Sequence, residues 1–210
     1  MSHIRTEIEA GIVKLNLNVD EGQIDQYVVY LEQMAHWNKS FNLTSIRDIR
    51  QMIIRHLFDS LAITPYIQGQ RFIDVGTGGG LPGIPLAITY PQRQWSLLDS
   101  NGKKTRFLVQ IKAKLGLSQV DVIHSRAELY TPEVLFNGIL SRAFASVADM
   151  IKVTAHLLDK DGFFYAMKAG GIEQELNHLP DNYQVEEVVT LDVPGLESEQ
   201  RHLIIIRGNN

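Results

Sequence analysis

Asp74, Gly76, Gly78 and Gly80 stand at alternate positions in the stretch Asp74-Val75-Gly76-Thr77-Gly78-Gly79-Gly80. Glycines so spaced let a backbone turn sharply and approach a ligand without Cβ atoms in the way. The apolar run Phe72-Ile73 precedes the stretch and Leu81-Pro82-Gly83-Ile84-Pro85-Leu86-Ala87-Ile88 follows it, which reads as strand, glycine turn and helix. The acid lies two residues before the first glycine, and Leu81 stands where a dinucleotide fingerprint has its last glycine. Both details point away from a nicotinamide dehydrogenase. The form D-x-G-x-G-x-G is typical of S-adenosylmethionine sites, with the helix N-terminus set to meet the methionine carboxylate and Asp74 set to hold the amino group. A turn that only packs strand on helix is the competing reading.

Asp99 ends the next apolar run, about twenty residues beyond the loop, where doubly wound folds place an acid on the ribose hydroxyls. Its alternative is a helix N-cap, since Ser100-Asn101-Gly102 follows. After the third strand, Ser125-Arg126-Ala127-Glu128 occupies the place of an adenine-binding turn, with the Ala127 amide and the Glu128 carboxylate as the contacts. Arg142 follows the fourth strand and Lys168 closes the fifth, so both are expected at the crevice, Arg142 on the cofactor carboxylate or a substrate phosphate. Lys103, Lys104 and Arg106 open the helix after Asp99 as a solvated face or an RNA-phosphate contact. Among the aromatics, Phe144 is the candidate to stack on a base, and helical spacing makes Trp37 a core residue.

The elements that must position these residues follow from periodicity. Ile24, Val28, Leu31, Met34 and Ala35 predict an amphipathic helix from Gly22 to Phe41, with Trp37 extending its face. A second helix is expected from an Asp48 N-cap, carrying Ile49, Met52, Ile53, Leu57 and Leu61 toward Pro65. From Arg71, short apolar runs at Phe72 to Val75, Trp95 to Leu98, Val120 to Ile123, Gly138 to Leu140 and Phe163 to Met167 alternate with helical stretches. That alternation predicts an α/β, Rossmann-like fold with a mostly parallel sheet. Gln184 to Val193 and His202 to Arg207 lack a helix between them and read as an antiparallel pair closing one edge. The expected organisation is an N-terminal helical extension over residues 1–68, packed on a catalytic domain over residues 69–210.

Bulk properties narrow the function. The chain has 210 residues, 44% of them hydrophobic, enough for one core and an extension. Its net charge of -4 gives no general basic field, so nucleic acid would need a local patch. With no cysteine there is no disulfide, thiolate metal site or cysteine nucleophile. The histidines show no compact metal spacing and no G-x-S-x-G elbow is present, which leaves zinc and serine hydrolysis unsupported. Nothing resembles a signal peptide or a membrane span, so a cytoplasmic protein with no membrane contact is expected.

Several blocks in one order resemble the ribosomal RNA small-subunit methyltransferase G family, also called glucose-inhibited division protein B. They are Trp37-Asn38-Lys39 with Asn42-Leu43-Thr44-Ser45, Arg55-His56 with Asp59-Ser60, Phe72 to Pro85, Leu98-Asp99-Ser100 with Gly102-Lys103-Lys104, and Ser141-Arg142-Ala143-Phe144-Ala145-Ser146. The resemblance covers nearly the whole chain. It implies a class I methyltransferase that uses S-adenosylmethionine to methylate N7 of a guanine in the 530 loop of 16S rRNA. The expected partner is 16S rRNA or a small-subunit particle, and a monomer is expected. Cofactor contacts would carry over to Gly76, Leu81, Ala127, Glu128 and Arg142. Lys39 to Arg47, with Arg142 and Phe144, would grip the RNA. One departure is Gly79, where the family commonly has proline; glycine leaves the loop about 1 kcal/mol less preorganised. Two rival readings are a methyltransferase of this fold with another acceptor, and a non-catalytic RNA-binding or cofactor-sensing module.

Overall fold

A computed structural model of the chain describes residues 2–142, 144, 146–170, 172–176 and 178–209. Ala143, Ala145 and Gly171, which fall within or beside stretches singled out above, lie outside the described residues. Helix α1 (Ser2–Lys14) leads into α2 (Glu21–Phe41). Asp20 caps α2 by a reciprocal pair: its carboxylate accepts from the Gln23 N–H at 2.8 Å, and the Gln23 side chain accepts from the Asp20 N–H at 2.8 Å. The buried face of α2 is Ile24, Tyr27, Tyr30, Leu31, Met34 and Asn38. Val28 and Ala35, expected on that face, and Trp37, expected to extend it, are half-buried and pack against the core from its margin. The face turned inward is centred on polar-tipped aromatics that an apolar count passes over.

Asp48 caps the next helix as expected, accepting from the Gln51 N–H at 2.9 Å. The helix does not run unbroken toward Pro65. Helix α3 (Ile49–Met52) widens into a π-helical segment, Ile53–Phe58, before α4 (Asp59–Leu61). A π turn breaks the α-helical phase, and such segments concentrate at functional sites. Here it carries Arg55 and His56 and delivers Asp59.

The remaining elements are β1 (Arg71–Val75), α5 (Gly83–Thr89), β2 (Gln94–Asp99), α6 (Gly102–Leu115), β3 (Val120–His124), β4 (Phe136–Ser141), α7 (Val147–Thr154), β5 (Leu158–Ala169), α8 (Glu173–Leu176), β6 (Tyr183–Thr190) and β7 (Arg201–Gly208). They build a seven-stranded sheet in the order β3-β2-β1-β4-β5-β7-β6. The first five are parallel, and β7 pairs antiparallel with both β5 and β6. The expected α/β class and antiparallel closing pair are both present. Strand β5 begins at Leu158, five residues before the expected Phe163, because the polar run Asp159-Lys160-Asp161 hides its first half.

Alternating residues along the strands serve two cores. One joins Tyr27, Tyr30, Met34 and Leu57 of the N-terminal helices to Phe72, Trp95, Leu108 and Tyr165. The other gathers Ile73, Leu98, Ile139, Phe164 and Ile204 beneath Val147, Met150 and Ile151 of α7. The N-terminal helices thus share one apolar cluster with the sheet. Strand order reverses between β1 and β4, which opens a crevice at their C-terminal ends. Among the described residues, no helix is long and apolar enough to cross a membrane.

Candidate active site

Asp74 lies at the C-terminal end of β1 with only 1% of its surface exposed. Its Oδ2 accepts from the Thr77 hydroxyl at 2.6 Å and from the Gly83 N–H at 2.8 Å, so it ties the glycine loop to the start of α5. Oδ1 is buried and, among the described residues, has no hydrogen-bond partner. Burial pushes the carboxyl up to about 6, against the pull of those two donors and of the Arg142 charge. A buried acceptor left without a donor suits a cationic ligand group entering the loop.

The loop is held by its own backbone. Gly80 and Leu81 N–H both donate to the Thr77 carbonyl at 2.9 Å, Gly78 N–H donates to Asp99 Oδ2 at 2.9 Å, and Pro82 has no N–H to offer. With Gly83 given to Asp74, the α5 N-terminus is largely used internally. This corrects the expectation of an open anion site there: the donors are consumed in shaping the loop. Gly76, Gly78 and Gly80 all have positive φ. At Gly80 (φ +94°) an added Cβ would meet Ile84 Cγ1 at 2.5 Å and Leu108 Cδ2 at 3.0 Å. Gly80→Ala is therefore expected to destabilise the fold by about 3 kcal/mol. Denaturant melts of the ligand-free protein measure this, and a loss below about 0.5 kcal/mol would show that the loop relaxes.

Gly79 is different. Its φ is not in the left-handed region, its carbonyl accepts from the buried Tyr30 hydroxyl at 2.8 Å, and a Cβ there would meet Met34 Cε at 3.1 Å. Glycine is not demanded by conformation; Met34 packs into the space it leaves.

Asp99 is buried at the end of β2, and Asn101, not Asp99, caps α6 by accepting from the Lys103 N–H at 2.9 Å. Asp99 accepts from Gly78 N–H through Oδ2 and from Asn101 N–H through Oδ1 at 2.8 Å. Each oxygen keeps a further lone pair for a ligand. Asp99, Ala127, Glu128 and Phe144 line one cavity of about 400 Å³ with Gly76 and Leu98. The strand-end acid and the turn after β3 thus meet as their positions suggested. Phe144 stands in this cavity wall with Asp99 and Ala127 and packs on the α7 side core, not on an outer face with the exposed lysines. Leu81 is buried beneath the loop as packing. Lys104 also turns inward: its Nζ is 3.8 Å from Asp99 Oδ2 and 3.9 Å from where a Gly78 Cβ would sit. Lys103, Arg106, Lys39 and Arg47 remain exposed.

A second cavity of about 270 Å³ has Arg142, Arg55, His56, Asp59 and Arg201 in its lining. Arg142 Nη1 donates to Asp59 Oδ2 at 2.8 Å and reaches the Arg55 carbonyl at 3.4 Å. Its charge also acts on Asp74, His56 and the buried Tyr30, which sets it between loop and cavity. Lys168 lines the cavity, yet its ammonium is engaged by Glu175 Oε1 at 2.9 Å and the Phe144 carbonyl at 3.0 Å. His56 was not singled out for chemistry by its position in the sequence. Its Nδ1 lies 3.1 Å from the Arg55 carbonyl, an acceptor, so Nδ1 carries the proton and Nε2 accepts from the Thr44 hydroxyl at 2.8 Å. Burial, followed by the Arg142 charge, lowers it to about 4, which keeps it neutral. The Asn38 side chain clamps the same loop, donating to the Ile46 carbonyl and accepting from the Thr44 N–H, each at 2.9 Å. Arg201 enters from β7, where it pairs with Ala169.

A cavity of about 790 Å³ lies elsewhere, between α6 and the edge strand β3. Among the described residues its charged lining members, Lys112 and Asp121, pair with each other at 3.7 Å. It carries none of the loop's acids.

Residues 23–204 match the family described as rRNA small subunit methyltransferase G. The chain belongs to this family. The ribosomal RNA small subunit methyltransferase G of Hydrogenovibrio crunogenus is 55% identical over 171 residues, covering 81% of this chain and 79% of the relative. That of Shewanella frigidimarina is 46% identical over 203 residues, covering 97% and 98%. A solved S-adenosylmethionine-dependent methyltransferase from Thiobacillus denitrificans, in complex with S-adenosyl-L-homocysteine, aligns with a TM-score of 0.51. At 13% identity over 72% of this chain and 90% of that one, it shows the class I methyltransferase fold alone. In this member of the methyltransferase G family, loop, strand-end acid and Arg142 therefore sit on the fold that the resemblance implied.

Proposed function

We propose that the chain transfers a methyl group from S-adenosylmethionine to N7 of a guanine in the 530 loop of 16S rRNA, acting as a cytoplasmic monomer. The N-terminal helices, residues 1–68, serve as an extension packed on the catalytic domain, residues 69–210. The observation that carries this reading is the glycine loop with its buried Asp74, beside a cavity lined by Gly76, Asp99, Ala127 and Glu128 at the strands' C-terminal ends, in a chain of this family. Asp74 would hold the cofactor's amino group, Asp99 its ribose hydroxyls, and the Ala127 amide with Glu128 its adenine. Gly76, Gly78 and Gly80 let the backbone approach, and Leu81 packs the loop from below. When bound, the cofactor supplies an electrophilic methyl group on a sulfonium.

Guanine N7 has an available lone pair and loses no proton, so the residues need to align it rather than act as a general base. In A-form RNA that edge lies in a deep, narrow groove, so the target is an open or splayed base. The cation-rich second cavity, with Arg142 and Lys168, suits such a base and its phosphate. Lys39, Arg47, Lys103 and Arg106 are exposed cations that would contact RNA phosphates. The test is methyl transfer from labelled cofactor to naked 16S rRNA and to small-subunit particles in parallel, with mass spectrometry of the product nucleoside. N7-methylguanine in one or both is the expected result. Label on a different nucleoside, or on neither RNA, would overturn the reading.

A further inference from the structure

Asp59 sits where the π-helical segment passes into α4 and is 7% exposed. Arg142 holds Oδ2 at 2.8 Å. Arg201 Nε lies 3.3 Å from Oδ1, close enough for charge attraction but not aligned as a hydrogen bond, so Oδ1 is a buried acceptor without a hydrogen-bond donor among the described residues. Burial pushes the carboxyl up, and the Arg142 and Arg201 charges pull it back toward the ionised form. Among the described residues lining the second cavity, the cations are Arg55, Arg142, Lys168 and Arg201, and Asp59 is the one carboxylate. His56 beside it is neutral.

This arrangement poses an electrostatic problem if the acceptor is a guanine, the reading on which the inference rests. In the transfer the N7 lone pair forms the new N–C bond, the electron pair of the broken S–C bond stays on sulfur, and no proton moves. Positive charge passes to the purine. Glu199 and Glu175 offset Arg55, Arg201 and Lys168 from outside the lining, and Asp59 is the carboxylate among the described residues within it. Guanine also presents two donors side by side, N1–H and the exocyclic amino group, which match the two oxygens of a carboxylate; adenine presents an acceptor at N1. A carboxylate has about four lone-pair sites, enough for Arg142, Arg201 and a base edge together. We propose that Asp59 is the specificity-determining residue: its carboxylate reads the Watson–Crick edge of the acceptor guanine and offsets the charge that the base gains.

The test uses small-subunit rRNA assembled by ligation with guanine or inosine at the methylated position. Inosine keeps N7 and N1–H and lacks the exocyclic amino group. For the wild-type protein, kcat/KM is expected to fall about 30-fold with inosine, since a polar site rejects a substrate that leaves its group unpaired. Asp59→Asn is expected to slow methylation of the guanine rRNA about 30-fold and to bring the two RNAs within about 3-fold of each other. Retention of both RNAs by protein loaded with S-adenosylhomocysteine should lose its preference in parallel. Equal wild-type rates on the two RNAs, or an Asp59→Asn variant that keeps the wild-type ratio, overturns the assignment. Should the variant fail to fold, the wild-type comparison decides alone. Absence of wild-type methylation on the guanine RNA is a separate outcome, which removes the guanine reading and this inference with it.

Discussion

Asp74→Asn is expected to leave the protein folded while raising the Kd for S-adenosylmethionine by about two to three orders of magnitude. The two effects separate because the two carboxylate oxygens do different things. Oδ2 accepts both structural hydrogen bonds, from Thr77 and Gly83, and an asparagine oxygen in its place accepts both as well. Oδ1 has no hydrogen-bond partner among the described residues, and it is this negative, donor-free corner that suits the cofactor's ammonium. Burial raises the carboxyl from its ordinary range to about 6. A folded-state value above the unfolded one means that this group's stabilising contribution is present at low pH and is lost as pH rises through about 6. The asparagine variant removes that titration, so its melting temperature at pH 8 should equal or exceed the wild type's and vary less between pH 5 and 7. For the wild type, cofactor affinity should be flat above pH 6 and weaken by up to about tenfold per pH unit below it, because the proton must leave before the ammonium enters. Calorimetric titrations across that range measure both. A variant that binds within about threefold of the wild type would reduce Asp74 to cement for the loop.

Much of this site is legible in the chain because its parts are local. The glycine loop follows its strand directly, Asp99 ends the next apolar run, and Ala127-Glu128 follows the third, so each is placed by the same strand-end rule. What is not legible depends on contacts distant in sequence. Lys104 reads as a solvated helix cation, yet its side chain folds back over Gly78, a fact decided by the packing of α6 on the loop. Lys168 ends a strand at the crevice as expected, but Glu175 and the Phe144 carbonyl engage its ammonium. Tyr30 carries a hydroxyl and so drops out of an apolar periodicity, although that hydroxyl is what fastens α2 to Gly79. The second cavity is the hardest to foresee. Its π-helical segment has no composition signal, and Arg201 arrives only through the β5–β7 register. Local pattern thus marks the glycine loop and the strand-end acids; the second cavity forms only when three separated segments close on one carboxylate.

Arg142→Ala is the substitution that tests this convergence most severely, with an expected loss of about 1000-fold in rRNA methylation. Arg142 donates to Asp59 Oδ2 and approaches the Arg55 carbonyl in the second cavity, and its charge is felt at Asp74 and His56. Truncation leaves Asp59 with Arg201 alone, at 3.3 Å and unaligned, so a buried carboxylate loses its best partner. Because Arg142 is about one quarter exposed and Arg201 remains, the stability cost should be about 2 kcal/mol rather than that of a fully buried broken pair. Arg142→Lys keeps a charge but not the planar fork, and should recover about tenfold of the lost rate and most of the stability. The informative variant is the double one. Replacing Asp59 by Asn as well removes the unpartnered charge, so Arg142→Ala/Asp59→Asn should be more stable than Arg142→Ala while methylation stays at the floor. A purely structural Arg142 would instead bring the double variant back to the rate of Asp59→Asn alone, along with its stability. The opposite result, an Arg142→Ala protein with wild-type cofactor affinity and wild-type methylation, would leave Arg142 as a structural partner of Asp59 alone.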